Sequence, residues 1–200
     1  IRSQQSGDVI AQMPDGSLYF EQTTWPYAEG DDRPLEEVLP ESMWTAIASP
    51  PGPIAAGDDG AAKLAAGAER LRDCTDRAII GLFGGNLLEM GQFLYRNDNF
   101  FMLLAGEPDR AHAFLDRLVE MHLANLDRLL AAVGESIDIV LFGDDLGMQT
   151  GPQVSPQMCR AFFKPRQKRM WRRVKELAPD VKIMLHCCGG VRELFPSLIE

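Results

Sequence analysis

Three short apolar runs, at residues 78–83 (AIIGLF), 137–142 (IDIVLF) and 181–185 (VKIML), each break directly into a loop of small and chemically active residues. The loops read GGN, GDDLG and HCCGG, and each precedes a stretch of helical character. Apolar runs of this length suit buried strands, and a helix between two such runs supplies the crossover that parallel neighbours need. This rhythm constrains the fold more than any other feature, because it restricts the chain to a parallel α/β sheet.

The helical stretches agree. Residues 61–76 favour helix by propensity, and a helix is expected from Leu87 to about Tyr95. Pro108 and Asp109 open a longer one, with apolar positions 115, 118, 119, 122, 126, 129, 130 and 133 forming one stripe and Gly134 placed to end it. Ser155 and Pro156 carry the N-cap and N1-proline signature, and Pro165 is expected to kink or divide that helix before Arg166–Leu177. Phe195–Glu200 begins another. Ahead of these, Val9-Ile10 and Leu18-Tyr19-Phe20 flank Pro14-Asp15-Gly16 as a hairpin, and residues 31–60 read as irregular.

Chemistry in α/β folds collects at the carboxyl ends of the strands, where all three loops fall. A (β/α)8 barrel runs to about 250 residues, so a chain of 200 would hold part of one; a doubly wound sheet is the alternative. The domain reading is a lead-in over 1–60 and a partial barrel over 61–200. The chain starts at Ile1 and stops within the helix-like PSLIE, which reads as a fragment truncated at its C-terminus.

A net charge of −9 argues against nucleic acid as the main partner, and no apolar run approaches a membrane span. The four cysteines, Cys74, Cys159, Cys187 and Cys188, do not form a secreted disulfide framework, so reduced thiols in the cytoplasm are expected.

His186 and Cys188 are the leading chemical candidates. In an extended segment residues i and i+2 project to one side, so imidazole and thiolate can meet one ion, while Cys187 points away and packs. Zinc takes such ligands, and a catalytic site needs three protein donors and an open position. The third could come from Cys74, Cys159, a carboxylate or residues after Glu200. The competing reading is a buried histidine beside two packing cysteines.

Asp144 and Asp145 at the second strand end can bind a cation, accept hydrogen bonds from a substrate or act in acid–base catalysis, or one can cap the next element while the other is solvated. Gln149 adds a neutral donor and acceptor. Gly84 and Gly85 allow close ligand approach, with Asn86 able to orient the ligand, although a tight turn explains them equally well. The basic cluster from Lys164 to Lys175 reads as a solvated helix face, and His122 as a core histidine.

The segments IIGLFGGNLLEMGQFL (79–94), VLFGDDLGMQTGPQVSPQMCRAFFKPRQKRM (140–170) and KIMLHCCGGVRELFPSLIE (182–200) resemble the uroporphyrinogen decarboxylase superfamily of (β/α)8 barrels. The resemblance implies part of a TIM-type barrel with an N-terminal β-hairpin lead-in. His-x-Cys-Gly at a strand end is similar to the branch of zinc-dependent, corrinoid-linked methyltransferases, with His186 and Cys188 as metal ligands and a further Cys expected beyond Glu200. That branch implies methyl transfer between a small substrate and a corrinoid protein, which supplies the methylcorrinoid. The substrate would be a thiol acceptor or a methoxy- or methylamine-type donor. Asp144 and Asp145 would be catalytic, with Gly84, Gly85, Asn86 and Gln149 binding substrate. The alternative is the metal-independent decarboxylase branch, acting on a tetrapyrrole or other polycarboxylate. Barrels of this kind also imply a homodimer.

Overall fold

The computed structural model describes residues 1–3, 7–39 and 59–200. The lead-in forms a small antiparallel pair, β1 (Ala11–Gln12) and β2 (Glu21–Gln22), followed by a helical turn, α1 (Leu35–Val38). The hairpin exists, but its strands are shorter than the apolar runs and displaced from them. Leu18 is 97% exposed, and Tyr19 and Phe20 lie outside the ladder in the connecting loop. Two-residue strands offer no face on which such a run can be buried. Most of the stretch expected to be irregular, 40–58, lies outside the described residues.

From residue 60 the order follows the expected rhythm: α2 (Gly60–Cys74), β3 (Ile80–Gly84), α3 (Leu88–Tyr95), α4 (Asn97–Gly106), α5 (Pro108–Val133) and β4 (Ile139–Gly143). A two-strand excursion, β5 (Gly147–Met148) and β6 (Gly151–Pro152), precedes the turn α6 (Pro156–Met158) and α7 (Lys164–Leu177). β7 (Lys182–His186) and α8 (Phe195–Ile199) complete it. β3, β4 and β7 form a parallel sheet in the order β3-β4-β7, and the register sets Gly143 opposite His186. This is a mixed α/β fold around a parallel sheet, and the described residues form no closed barrel.

One sheet face carries the core. Phe83 meets His122 of α5 edge-on at 6.1 Å, and Phe142 meets Trp171 of α7 at 6.4 Å. All eight stripe positions of α5 are buried, so the helical period located this contact face correctly. On the opposite face Ile80, Leu82 and Met184 stay about half exposed, so the apolar runs are covered on one side among the described residues.

Ser155 caps as expected, its hydroxyl accepting from Met158 N at 3.1 Å. The break near Pro165 falls upstream, as a π-helical turn over Cys159–Phe163, because proline lacks the N–H for the next α-helical bond and its ring crowds the carbonyl one turn back. The basic face of α7 is largely solvent-exposed, as expected, and three of its arginines also bridge to α5. Arg166, Arg169 and Arg173 pair with Asp116, Glu120 and Asp127 of α5 at 2.6–2.8 Å, and Arg166 is buried. No helix among the described residues is long and apolar enough to cross a membrane.

Candidate metal centre

Parallel pairing of β4 with β7 brings two of the three loops side by side, since both strands end level at Gly143 and His186. Asp144 N donates to His186 O at 3.1 Å, continuing the ladder one step into the loops. There the two adjacent aspartates part company. Alternation along the extended chain turns one carboxylate inward and the other toward the mouth.

Asp144 points inward and is 2% exposed. Its carboxylate accepts from Leu88 N and Glu89 N, both at 3.1 Å, satisfying the first amides of α3. Burial pushes this acid up to about 7, and the neighbouring Glu89 charge adds to the rise while the helix amides oppose it. Asp144 therefore caps not the next element, as the sequence suggested, but a helix that precedes it in the chain, because parallel strand pairing sets the start of α3 beside it.

Asp145 points to the mouth. Its Oδ1 accepts from Cys188 N at 2.7 Å and lies 3.8 Å from His186 Nε2. Cys188 Sγ is 3.4 Å from the same His186 nitrogen. Donor atoms of Asp145, His186 and Cys188 all lie within 4.8 Å of one another. An ion with zinc's ordinary bonds of about 2.0 Å to nitrogen and 2.3 Å to sulfur would hold those atoms about 3.5 Å apart in a tetrahedral site. The O, N, S donor set and the observed spacing fit zinc, with a coordination position left over. Among the described residues, the donor that stands with His186 and Cys188 is the Asp145 carboxylate. Cys74 is on the exposed end of α2 and Cys159 is buried, and neither joins the cluster. The Asp145 carboxylate also raises the Cys188 thiol, because it accepts a hydrogen bond from the neutral form and opposes a second negative charge.

Cys187 faces away, as alternation predicts. Its Sγ accepts from Leu146 N at 3.2 Å, and its surroundings push the thiol up by burial. The glycines that follow serve the backbone rather than a ligand. A Cβ on Gly189 would stand 2.6 Å from the Gly147 carbonyl carbon, and one on Gly147 would stand 2.7 Å from Cys188 O. The two loops cross backbone on backbone, and Gly189 has φ +79°.

A cavity of about 410 Å³ opens beside the triad, lined by Gly84, Asn86, Glu89, Asp145 and His186 together with the apolar side chains of Leu82, Phe93, Leu141 and Phe142. Gly84 and Asn86 thus stand where a substrate wall was expected. Gly85 is turned behind it, against the Phe83 and Phe142 rings. Gln149 is exposed in the turn between β5 and β6 and is not part of the lining.

Glu89 is the site residue the sequence reading missed. Its Oε2 accepts from Asp145 N at 2.9 Å and from Asn86 Nδ2, and burial raises its acid above the ordinary carboxylate range. Asp144 holds the start of α3 while Glu89 of α3 holds the loop carrying Asp145, a reciprocal lock between two strand ends. The available signal was the Asn86-x-x-Glu89 spacing at a helix start. His122 supports the same loop from below: it is fully buried, its Nε2 is 3.0 Å from Asn86 O, and burial lowers it to about 4.

The family model described as uroporphyrinogen decarboxylase (URO-D) matches residues 62–200. The chain belongs to the uroporphyrinogen decarboxylase family. No curated protein and no solved structure matches it. The matched URO-D region contains all three loops, Glu89 and the whole triad, and family membership points to an enzyme.

Proposed function

We propose that this URO-D family chain is a zinc-dependent methyltransferase working with a corrinoid protein. The observation that carries the reading is the Asp145–His186–Cys188 triad at the rim of the cavity. When bound, zinc supplies Lewis acidity that keeps a thiol substrate as its thiolate or polarises the leaving oxygen of a methoxy donor. The chain's own groups do the rest. Asp145, His186 and Cys188 would hold the ion, and Glu89 fixes the Asp145 backbone. Leu82, Phe93, Leu141 and Phe142 give the cavity an apolar wall beside the triad. Methyl transfer to or from the corrinoid, carried by the partner protein, would occur over the exposed side of the triad. His186 and Cys188 are both exposed there.

The cavity charge supports this reading over a metal-independent decarboxylase. A polycarboxylate substrate calls for cationic partners, and the described lining holds the carboxylates of Glu89 and Asp145 with no lysine or arginine.

Metal analysis tests the proposal. The protein should hold about one zinc per chain, and Cys188→Ser should lower zinc affinity sharply while the fold is retained by circular dichroism. A protein that takes up no zinc, or a Cys188→Ser variant that binds it as tightly as the parent, would refute it.

A further inference from the structure

Every polar side-chain function that the cavity wall offers beside His186 is an acceptor or is already spent as a donor. Glu89 and Asp145 present carboxylates. Asn86 is 5% exposed; its Nδ2 donates to Glu89, and its Oδ1 is buried without a hydrogen-bond partner. An enclosed acceptor with no donor is unfavourable until a ligand supplies one. Two carboxylates against an apolar wall attract a cation and repel an anion.

We propose that the cavity selects small substrates carrying a protonated amine, with the ammonium group paired to Glu89 and supplying the donor that Asn86 Oδ1 lacks. In the methyl-transfer reading, on which the sulfur or oxygen end of this inference rests, the other end of the same molecule meets the ion held by Asp145, His186 and Cys188. For a thiol, the S–H proton leaves to solvent as the sulfur–metal bond forms, and the ammonium keeps its protons. The ammonium end depends on Asn86 and Glu89 alone.

The test uses three thiols of similar length, cysteamine, 2-mercaptoethanol and 3-mercaptopropionate, titrated into the cobalt(II)-substituted protein and followed by sulfur-to-cobalt charge-transfer absorption. Cysteamine should bind at least about 10-fold tighter than 3-mercaptopropionate, and Glu89→Gln should shrink that ratio to about 3-fold or less. In parallel, propylammonium chloride is titrated into the metal-free protein, and the Asn86 side-chain amide is followed by nitrogen-15 NMR. That resonance should shift with the amine and not with matched sodium chloride. Equal affinity for the cationic and anionic thiols overturns the inference while leaving the metal reading intact. Failure of the protein to take up metal overturns the methyl-transfer reading, and the propylammonium titration then decides the inference by itself. An Asn86 amide that does not move by about 100 mM amine, a range in which even a weak charge pair is populated, overturns it.

Discussion

Replacing Asp144 with Asn separates the energetic roles of a carboxylate that is both buried and paired to a helix start. In the parent, Leu88 N and Glu89 N each find an oxygen at 3.1 Å. Asn keeps one acceptor and turns an amide toward the other N–H, leaving one buried donor unmet at a cost of about 1–3 kcal/mol. The parent carries an opposing cost of its own. Its acid rises from 3.8 to about 7 on folding, so the native state holds a proton that the unfolded chain releases between about pH 4 and pH 7. The stability this acid contributes is complete below pH 4 and is lost as pH rises through 7. At 1.36 kcal/mol per pH unit, the loss between pH 5 and pH 8 is roughly 2.5 kcal/mol, and Asn has none of it. Urea denaturation of both proteins at pH 5 and pH 8 reads the difference directly, since groups common to both largely cancel. Asp144→Asn should be clearly less stable at pH 5, with most of the gap gone at pH 8. A gap that stays constant within about 0.5 kcal/mol, or widens with pH, would refute the assignment of a buried, proton-holding Asp144.

Two further outcomes test the backbone. Gly189→Ala must relieve a 2.6 Å contact with Gly147 at positive φ, so it should destabilise by about 1–3 kcal/mol and weaken zinc binding with it, measured by chelator competition; unchanged values would remove the loop crossing as a constraint on the triad. Arg96 is a non-glycine residue at φ 67° and ψ 151° between α3 and α4, so Arg96→Gly should raise stability by about 1 kcal/mol in denaturant melts, whereas a loss would show that its exposed pair with Asp98 outweighs the strain.

Much of the fold was legible because its signals are local. The α5 stripe, the Ser155 cap and the three runs becoming β3, β4 and β7 all follow from periodicity, capping chemistry and turn residues. The hairpin strands were misplaced because apolar residues at a two-residue ladder need not be buried. The α7 basic face was legible as a largely exposed one, but the ion pairs of Arg166, Arg169 and Arg173 were not, because their partners lie on α5, beyond the reach of any local pattern.

For the candidate site, the chain alone determined that His186 and Cys188 share a side and that Cys187 does not, since two-residue alternation is a property of any extended segment. It could not sort the aspartates. Only the pairing of β4 against β7 set Gly143 level with His186, and that register carried Asp145 to the histidine and cysteine while turning Asp144 under α3. Glu89 entered the site in the same way, through a hydrogen bond across 56 residues of chain. Strand alternation is encoded within a few residues, whereas which carboxylate comes to stand beside His186 and Cys188 depends on which strand ends lie side by side, and only tertiary packing determines that.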